Sequence, residues 1–253
     1  TRDLYNGILL AAEQYNQQNT DRKVFIRYRD TAPKSGKAST VFNQLVWRHP
    51  LDAVIGPLFS ESASKMASLA EQYQVTMLTP LANSDTLNID NPYVFQVNPT
   101  FSVRGRKMAR YAVKRLNLDT MAVIAQKGAL GYESAFHFRD EAERLGAHIA
   151  YFFVEDFASK AYDLSDYTKY FTADEQSRDS LNIQEVDGIY APFTGQAAAT
   201  LIDLLMTDLE AANTDHTLLG SAEWGSYDMN RKQISKFDMY YPEADPLNAD
   251  TTS

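Results

Sequence analysis

The chain of 253 residues contains no cysteine, which excludes disulfides, thiolate nucleophiles and cysteine-ligated zinc. It leaves the compartment open, because exported proteins also manage without cysteine. Positive charge is scarce as well. Lys and Arg total 24 against 33 Asp and Glu, and the resulting net charge of −9 repels a nucleic-acid backbone or an anionic membrane surface. No nucleic-acid partner is expected. The densest basic run is Arg104, Arg106, Lys107, Arg110, Lys114 and Arg115. It falls at helical spacing around Val103, Met108, Tyr111 and Leu116, the pattern of a solvated helix face. No apolar run approaches the roughly 18 residues that span a bilayer, and no charged segment followed by an apolar one opens the chain. Neither a transmembrane segment nor a retained signal peptide is expected.

Catalytic patterns are missing too. The four histidines, His49, His137, His148 and His216, fall on separate elements. There is no H-E-x-x-H zinc motif, no G-x-S-x-G elbow and no phosphate-binding P-loop. Gly128-x-x-Gly131 lacks the third glycine and the spacing that bring a backbone against a pyrophosphate. No enzyme, cofactor or metal is expected.

What is present is alternation, in a chain whose 44% hydrophobic residues supply a substantial core. Leu4, Ile8, Leu9, Ala11, Ala12 and Tyr15 recur at helical spacing, and residues 24–28 read as a β-branched and aromatic strand. Helix 36–48 leads to strand 53–55, helix 60–73 to strand 75–78, and a polar loop to strand 93–97. A second series runs helix 101–116, strand 121–125, helix 132–145, strand 148–154, helix 162–172, strand 186–190, helix 196–209 and strand 217–219. Short apolar strands alternating with helices predict an α/β fold of parallel sheets built from right-handed crossovers. The break at Asn98-Pro99-Thr100 divides it into two Rossmann-like lobes, 1–98 with 226–253 and 99–225, with hinges near 98–100 and 220–226. Because the chain opens on a helix, the first strand is expected to lie upstream, and the closing helices are expected beyond the polar tail.

Ligands of open α/β sheets bind at the carboxyl ends of strands, so the loops that follow strands carry the candidate site. Residues 53–62 run from a buried strand through Gly56-Pro57 to Ser60. There Ser60 either caps its own helix or, with the exposed N–H groups, holds a ligand carboxylate. Ala82 and Asn83 follow the next strand in Thr79-Pro80-Leu81-Ala82-Asn83, as ligand contacts or as a Pro-initiated turn. In the second series the equivalent edges are 126–132, 191–196 and 221–227. Glu223 there either receives an ammonium group or is an ordinary surface carboxylate, while Trp224, Phe193, Tyr132 and Tyr227 offer aromatic walls.

The order of these motifs resembles the type I periplasmic solute-binding proteins, in particular the leucine/isoleucine/valine-binding branch. The resemblance covers almost the whole chain: GILLAAEQYN at 7–16, RDT at 29–31, VIGPLFS at 54–60, TPLA at 79–82, YVFQVNP at 93–99, GYES at 131–134 and VDGIY at 186–190. It implies a small polar ligand, an amino acid or related carboxylate, held by Ser60 and the Ala82–Asn83 segment. The second lobe, through Tyr132, Thr194 and Glu223, closes on the ammonium and side-chain ends. It also implies hinge closure, an ABC permease as partner, and a periplasmic or extracellular protein with a lipid anchor upstream. Leu130 stands where the family often has an aromatic residue. A competing expectation is a ligand-free regulatory or structural domain of a cell-envelope lipoprotein, since fold alone does not decide function.

Overall fold

The computed structural model describes residues 2–31, 37–129, 131–173, 177, 179, 183–212, 214–227 and 236–242. Leu130 and most of the tail lie outside them. The chain divides into two compact units, residues 1–82 with 86–98, and 83–85 with 99–253.

The first unit holds a three-stranded parallel sheet in the order β1 (Ala53–Ile55), β2 (Thr76–Thr79), β3 (Val94–Gln96). Two helices cover one face. In α2 (Ala38–Arg48) the residues Ala38, Phe42 and Leu45 are buried, and in α3 (Ser60–Tyr73) Ala63, Met66, Ala67 and Ala70 form the i, i+3, i+4, i+7 stripe of a packed helix. They close on Val75, Met77 and Val94. The helix α1 (Arg2–Gln18) has the expected amphipathic spacing but buries no residue.

The strand expected at 24–28 is not formed. A strand exists by pairing with a neighbour, and no described residue pairs with this segment. Instead the Asn16 amide takes both backbone groups of Val24: its Nδ2 donates to the carbonyl at 2.8 Å and its Oδ1 accepts the N–H at 2.7 Å.

The second unit holds five parallel strands in the order β5-β4-β6-β7-β8: β4 (Thr120–Gln126), β5 (His148–Glu155), β6 (Gly188–Ala191), β7 (Thr217–Gly220) and β8 (Met239–Tyr240). Both faces are covered. Side chains of a strand point alternately to its two faces. Met121, Val123 and Ala125 of β4 therefore pack with α4 (Phe101–Arg115) and α5 (Tyr132–Arg144). Ala122 and Ile124 pack on the other side with α6 (Ser165–Thr172) and α7 (Ala198–Ala211). A Cβ added to Gly105 of α4 would stand 2.2 Å from the Ser134 carbonyl oxygen, so only glycine permits the two helix backbones to approach this closely.

The return of 226–253 to the first lobe is corrected for the residues that can be placed. Met239 and Tyr240 pair with Leu218 and Leu219 of β7, which makes β8 an edge strand of the second sheet. Helix α6 also starts later than the expected 162. Ala161 and Tyr162 hold φ of 52° and 62°, and the Asp163 carboxylate accepts the Ser165 N–H at 2.9 Å, so the helical run begins there.

Candidate functional site

In the second sheet β5 lies on one side of β4 and β6 on the other. The chain leaves β4 for α5 on one face and leaves β6 for α7 on the opposite face. That reversal is a topological switch point, where diverging loops leave a crevice outside the carboxyl ends of the strands. A small concave pocket occupies this place, between the start of α4, the loops after β4, β6 and β7, and Pro242.

The pocket wall is held by hydrogen bonds between the diverging loops. Gly131 N–H donates to Thr194 Oγ1 at 2.8 Å, joining the loop after β4 to the loop after β6. A Cβ at Gly131 would stand 2.4 Å from Thr194 Cγ2 and 2.9 Å from the Pro192 carbonyl oxygen, so the contact requires glycine. Tyr190 donates its phenolic proton to Ser134 Oγ at 3.1 Å, and Ser134 Oγ donates to the Gly131 carbonyl at 2.5 Å. Ser221 Oγ donates to the Phe193 carbonyl, which fixes the loop after β7. Burial pushes the Tyr190 phenol up to about 12, against smaller opposing effects of the Ser134 hydrogen bond and the Arg104 charge. Tyr190 therefore stays neutral at ordinary pH.

Arg104 is the feature that sequence reasoning missed. Its Nε donates to the Pro99 carbonyl at 3.2 Å and its guanidinium lies 5.4 Å from the centroid of the Phe101 ring. The basic run was expected to be a solvated face, and Lys107, Lys114 and Arg115 are exposed. Arg104 is half-buried and lines the pocket with Phe101 and Met108. The signal was available in the spacing: 101, 104 and 108 fall on one helical stripe, so Arg104 shares the face of its apolar neighbours.

The sequence candidates fall in different places. Thr194 is buried and lines the pocket. Tyr132 and Glu223 are half-buried and adjoin lining residues in sequence without lining the pocket themselves. The Glu223 carbonyl accepts from Ser226 Oγ at 2.9 Å.

In the first unit Ser60 is the first residue of α3, and the cap position belongs to Phe59, which gives no side-chain cap hydrogen bond. Ala82 is buried, its N–H donates to Thr79 Oγ1 at 3.2 Å and its carbonyl accepts from Gln96 Nε2 at 3.3 Å. Asn83 is half-buried and groups with the second unit. Two residues on, Asp85 accepts the Ser102 N–H at 3.2 Å. Among the described residues no cluster of three metal-ligating side chains is found, and no helix is long and apolar enough to cross a membrane.

Comparison with known proteins places this geometry. An ABC transporter substrate-binding protein from Desulfitobacterium hafniense is 21% identical with a TM-score of 0.66, over 88% of this chain and 62% of its own. A structure from the same organism described as a complex with Leu gives 22% and 0.61, over 86% and 61%. A solute-binding protein of an ABC transporter from Rhodopseudomonas palustris, in complex with 3,4-dihydroxy benzoic acid, gives 14% and 0.56, over 87% and 57%. The chain thus spans about 60% of the length of these structures. A search of curated proteins finds no match. The sequence model described as periplasmic binding protein matches residues 1–249, and on that match the chain belongs to the periplasmic binding protein family, made up of solute-binding proteins rather than enzymes.

Proposed function

We propose that this chain binds a small polar ligand, an amino acid or related carboxylate, as the solute-binding component of an ABC-type importer acting in the periplasm or outside the cell. The observation that carries the reading is the pocket at the switch point of the second sheet. It is walled by inter-loop hydrogen bonds that are already formed, as expected of ligand sites that are largely preorganised. The two similar structures described with Leu and with 3,4-dihydroxy benzoic acid both hold a carboxylic acid, which supports the ligand class. Thr194 is the leading contact in the second unit, with Tyr132 and Glu223 beside it. Ser60 and the Ala82–Asn83 segment are the candidates that follow the strands of the first. An ABC permease is the partner this role requires.

A thermal-shift screen against amino acids, small carboxylates, sugars and nucleosides tests the reading. A ligand that binds only the folded state and is present at a hundredfold excess over its Kd stabilises by about 2.7 kcal/mol, a rise of about 5–10 °C for a chain of this size. A carboxylate that gives such a rise, reduced in Thr194→Ala, is the expected result. A folded protein that no member of the panel shifts would favour the ligand-free envelope scaffold instead.

A further inference from the structure

We infer that Asp85 is a positioning residue, a clasp that fixes the first turn of α4 and with it the Phe101 wall of the pocket. The inference rests on the solute-binding reading and deepens it, by naming a residue outside the pocket on which the shape of the pocket depends.

The course of the chain sets Asp85 apart. After β2 the chain leaves the first unit at Ala82 and rejoins it at Thr86, and residues 83–85 group with the second unit. Ala82 and Leu87, on either side, are buried in the first core. Asp85 is thus the tip of a short excursion with anchored flanks, which loses little backbone freedom when its carboxylate is bound.

That tip meets the start of α4. Asp85 Oδ2 accepts the Ser102 N–H at 3.2 Å, and Ser102 Oγ donates to Asp85 Oδ1. A helix leaves its first N–H groups without partners of its own, and a carboxylate placed there is also favoured by the helix dipole. Thr100, the cap residue, takes the Val103 N–H at 3.4 Å, and Asp85 takes the Ser102 N–H. The hydroxyls of the same turn lead to the same carboxylate. Ser102 is 6% exposed, and its Oγ lies 3.0 Å from Thr100 Oγ1 and 3.1 Å from Arg106 Nη2. Its single proton goes to Asp85, so it accepts from Thr100 and from Arg106. Loss of the final acceptor would leave a buried hydroxyl and a helix N–H unpaired together.

What this turn carries is a wall of the pocket. Phe101, the neighbour of Ser102 in sequence, opens α4 and lines the pocket. A first turn that frays therefore moves Phe101 from its place. One turn further on, Gly105 is held against the Ser134 carbonyl of α5, so the loosening should stop there.

The test follows amide hydrogen exchange of the intact chain by NMR, without ligand, together with the signals of selectively labelled phenylalanine rings. An asparagine amide offers one acceptor oxygen where the carboxylate offers two, so Asp85→Asn satisfies only one of the two Ser102 donors. It is expected to speed exchange of the Ser102–Arg104 amides by about tenfold and to shift the Phe101 signal, while amides of α7 keep their wild-type protection. Ser102→Ala keeps the N–H, loses the hydroxyl and should loosen the same amides less. Asp85→Glu restores both acceptors and is expected to regain part of the protection, which separates a positioning carboxylate from a side chain whose replacement merely loosens the fold. Leucine, present in one of the similar structures, is titrated by calorimetry to read the consequence for binding. Its affinity is expected to fall by about tenfold in Asp85→Asn and to return in part in Asp85→Glu.

Unchanged exchange in Asp85→Asn, exchange raised equally in α7, or no return in Asp85→Glu overturns the clasp. Local loosening with unchanged leucine affinity overturns the positioning role and leaves Asp85 an ordinary helix cap. If leucine does not bind the wild type, exchange and the Phe101 signal still decide the clasp, and the thermal screen separately decides the fate of the solute-binding reading.

Discussion

The two units are built from the same alternation of strand and helix, yet they bury their sheets differently. In the second unit β4 runs through the sheet interior with six of its seven residues buried, covered on one face by α4 and α5 and on the other by α6 and α7. In the first unit α2 and α3 cover one face, while Ile55 of β1 and Phe95 of β3 remain 47% and 52% exposed. Parallel sheets are ordinarily covered on both faces. The difference teaches that a strand pattern alone does not build a core. The covering elements decide whether outward-pointing apolar residues contribute.

The largest expected effect tests that contrast directly. Phe138 is fully buried and stacks on Tyr190 with ring centroids 4.2 Å apart, so Phe138→Ala is expected to lower the unfolding free energy by about 3–5 kcal/mol. Phe95→Ala is expected to cost about 0.5 kcal/mol or less, as at other exposed positions. Urea unfolding measures both. Similar costs would mean that the outer face of the first sheet is covered in solution, and the contrast between the units would break.

The contrast also explains what could be read in advance. The run Met121, Ala122, Val123, Ile124 and Ala125 announces a strand buried on both faces, and helices on either side of it in sequence supply the cover. Residues 24–28 carry the same β-branched signal, but the signal says nothing of a neighbour, and Asn16 takes the backbone groups of Val24 that a strand would use. The same limit applies to β8. Its apolar residues were visible, but which sheet they join is a long-range matter, settled by pairing with Leu218 and Leu219.

In the candidate site, Thr194 follows a legible strand. Arg104 was read by its residue type within a basic run, when its position on the Phe101–Met108 stripe was the informative property. Ser134 and Tyr190 end the GYES and VDGIY segments, but their link is not legible there, because it arises only when β6 is laid beside β4 and α5 begins above them.

Glycine substitution sharpens the comparison at intermediate magnitude, and with opposite signs. At Gly105 an added methyl meets the Ser134 carbonyl oxygen at 2.2 Å and the Phe138 nitrogen at 3.1 Å. These are backbone atoms of a packed helix that cannot turn aside. Gly105→Ala is expected to cost about 1–3 kcal/mol by forcing α4 and α5 apart. Gly7 in α1 has nothing within 4 Å of such a methyl. There Gly7→Ala is expected to stabilise by about 0.5–1 kcal/mol through helix propensity alone. Thermal denaturation of the two variants checks the signs. A loss at Gly7 would show that α1 packs closely against something in solution.

The smallest effect concerns the link between α4 and α5 and is visible only in acid. Glu141 is 5% exposed and accepts from Arg144 Nη2 at 2.7 Å, Arg144 Nε at 2.8 Å and Arg110 Nε at 2.5 Å. The hydrogen bonds from Arg144 and then Arg110 hold its carboxyl at about 2, below the ordinary 4.5, against an opposing desolvation. A carboxylate whose folded value is depressed binds its proton more readily in the unfolded chain. Its stabilisation is therefore fully present above the ordinary value and is lost as pH falls toward the folded one. The native chain should lose stability between about pH 4.5 and 2 on this account. Glu141→Gln should be less stable at neutral pH and show a shallower decline through that window. Because both arginines are more than half exposed, solvent screens much of the interaction and the difference should be modest. Parallel pH-dependence curves for the two proteins would show that the Arg110–Glu141–Arg144 cluster does not help to hold α4 on α5, leaving that close approach to Gly105 and the alanines packed around it.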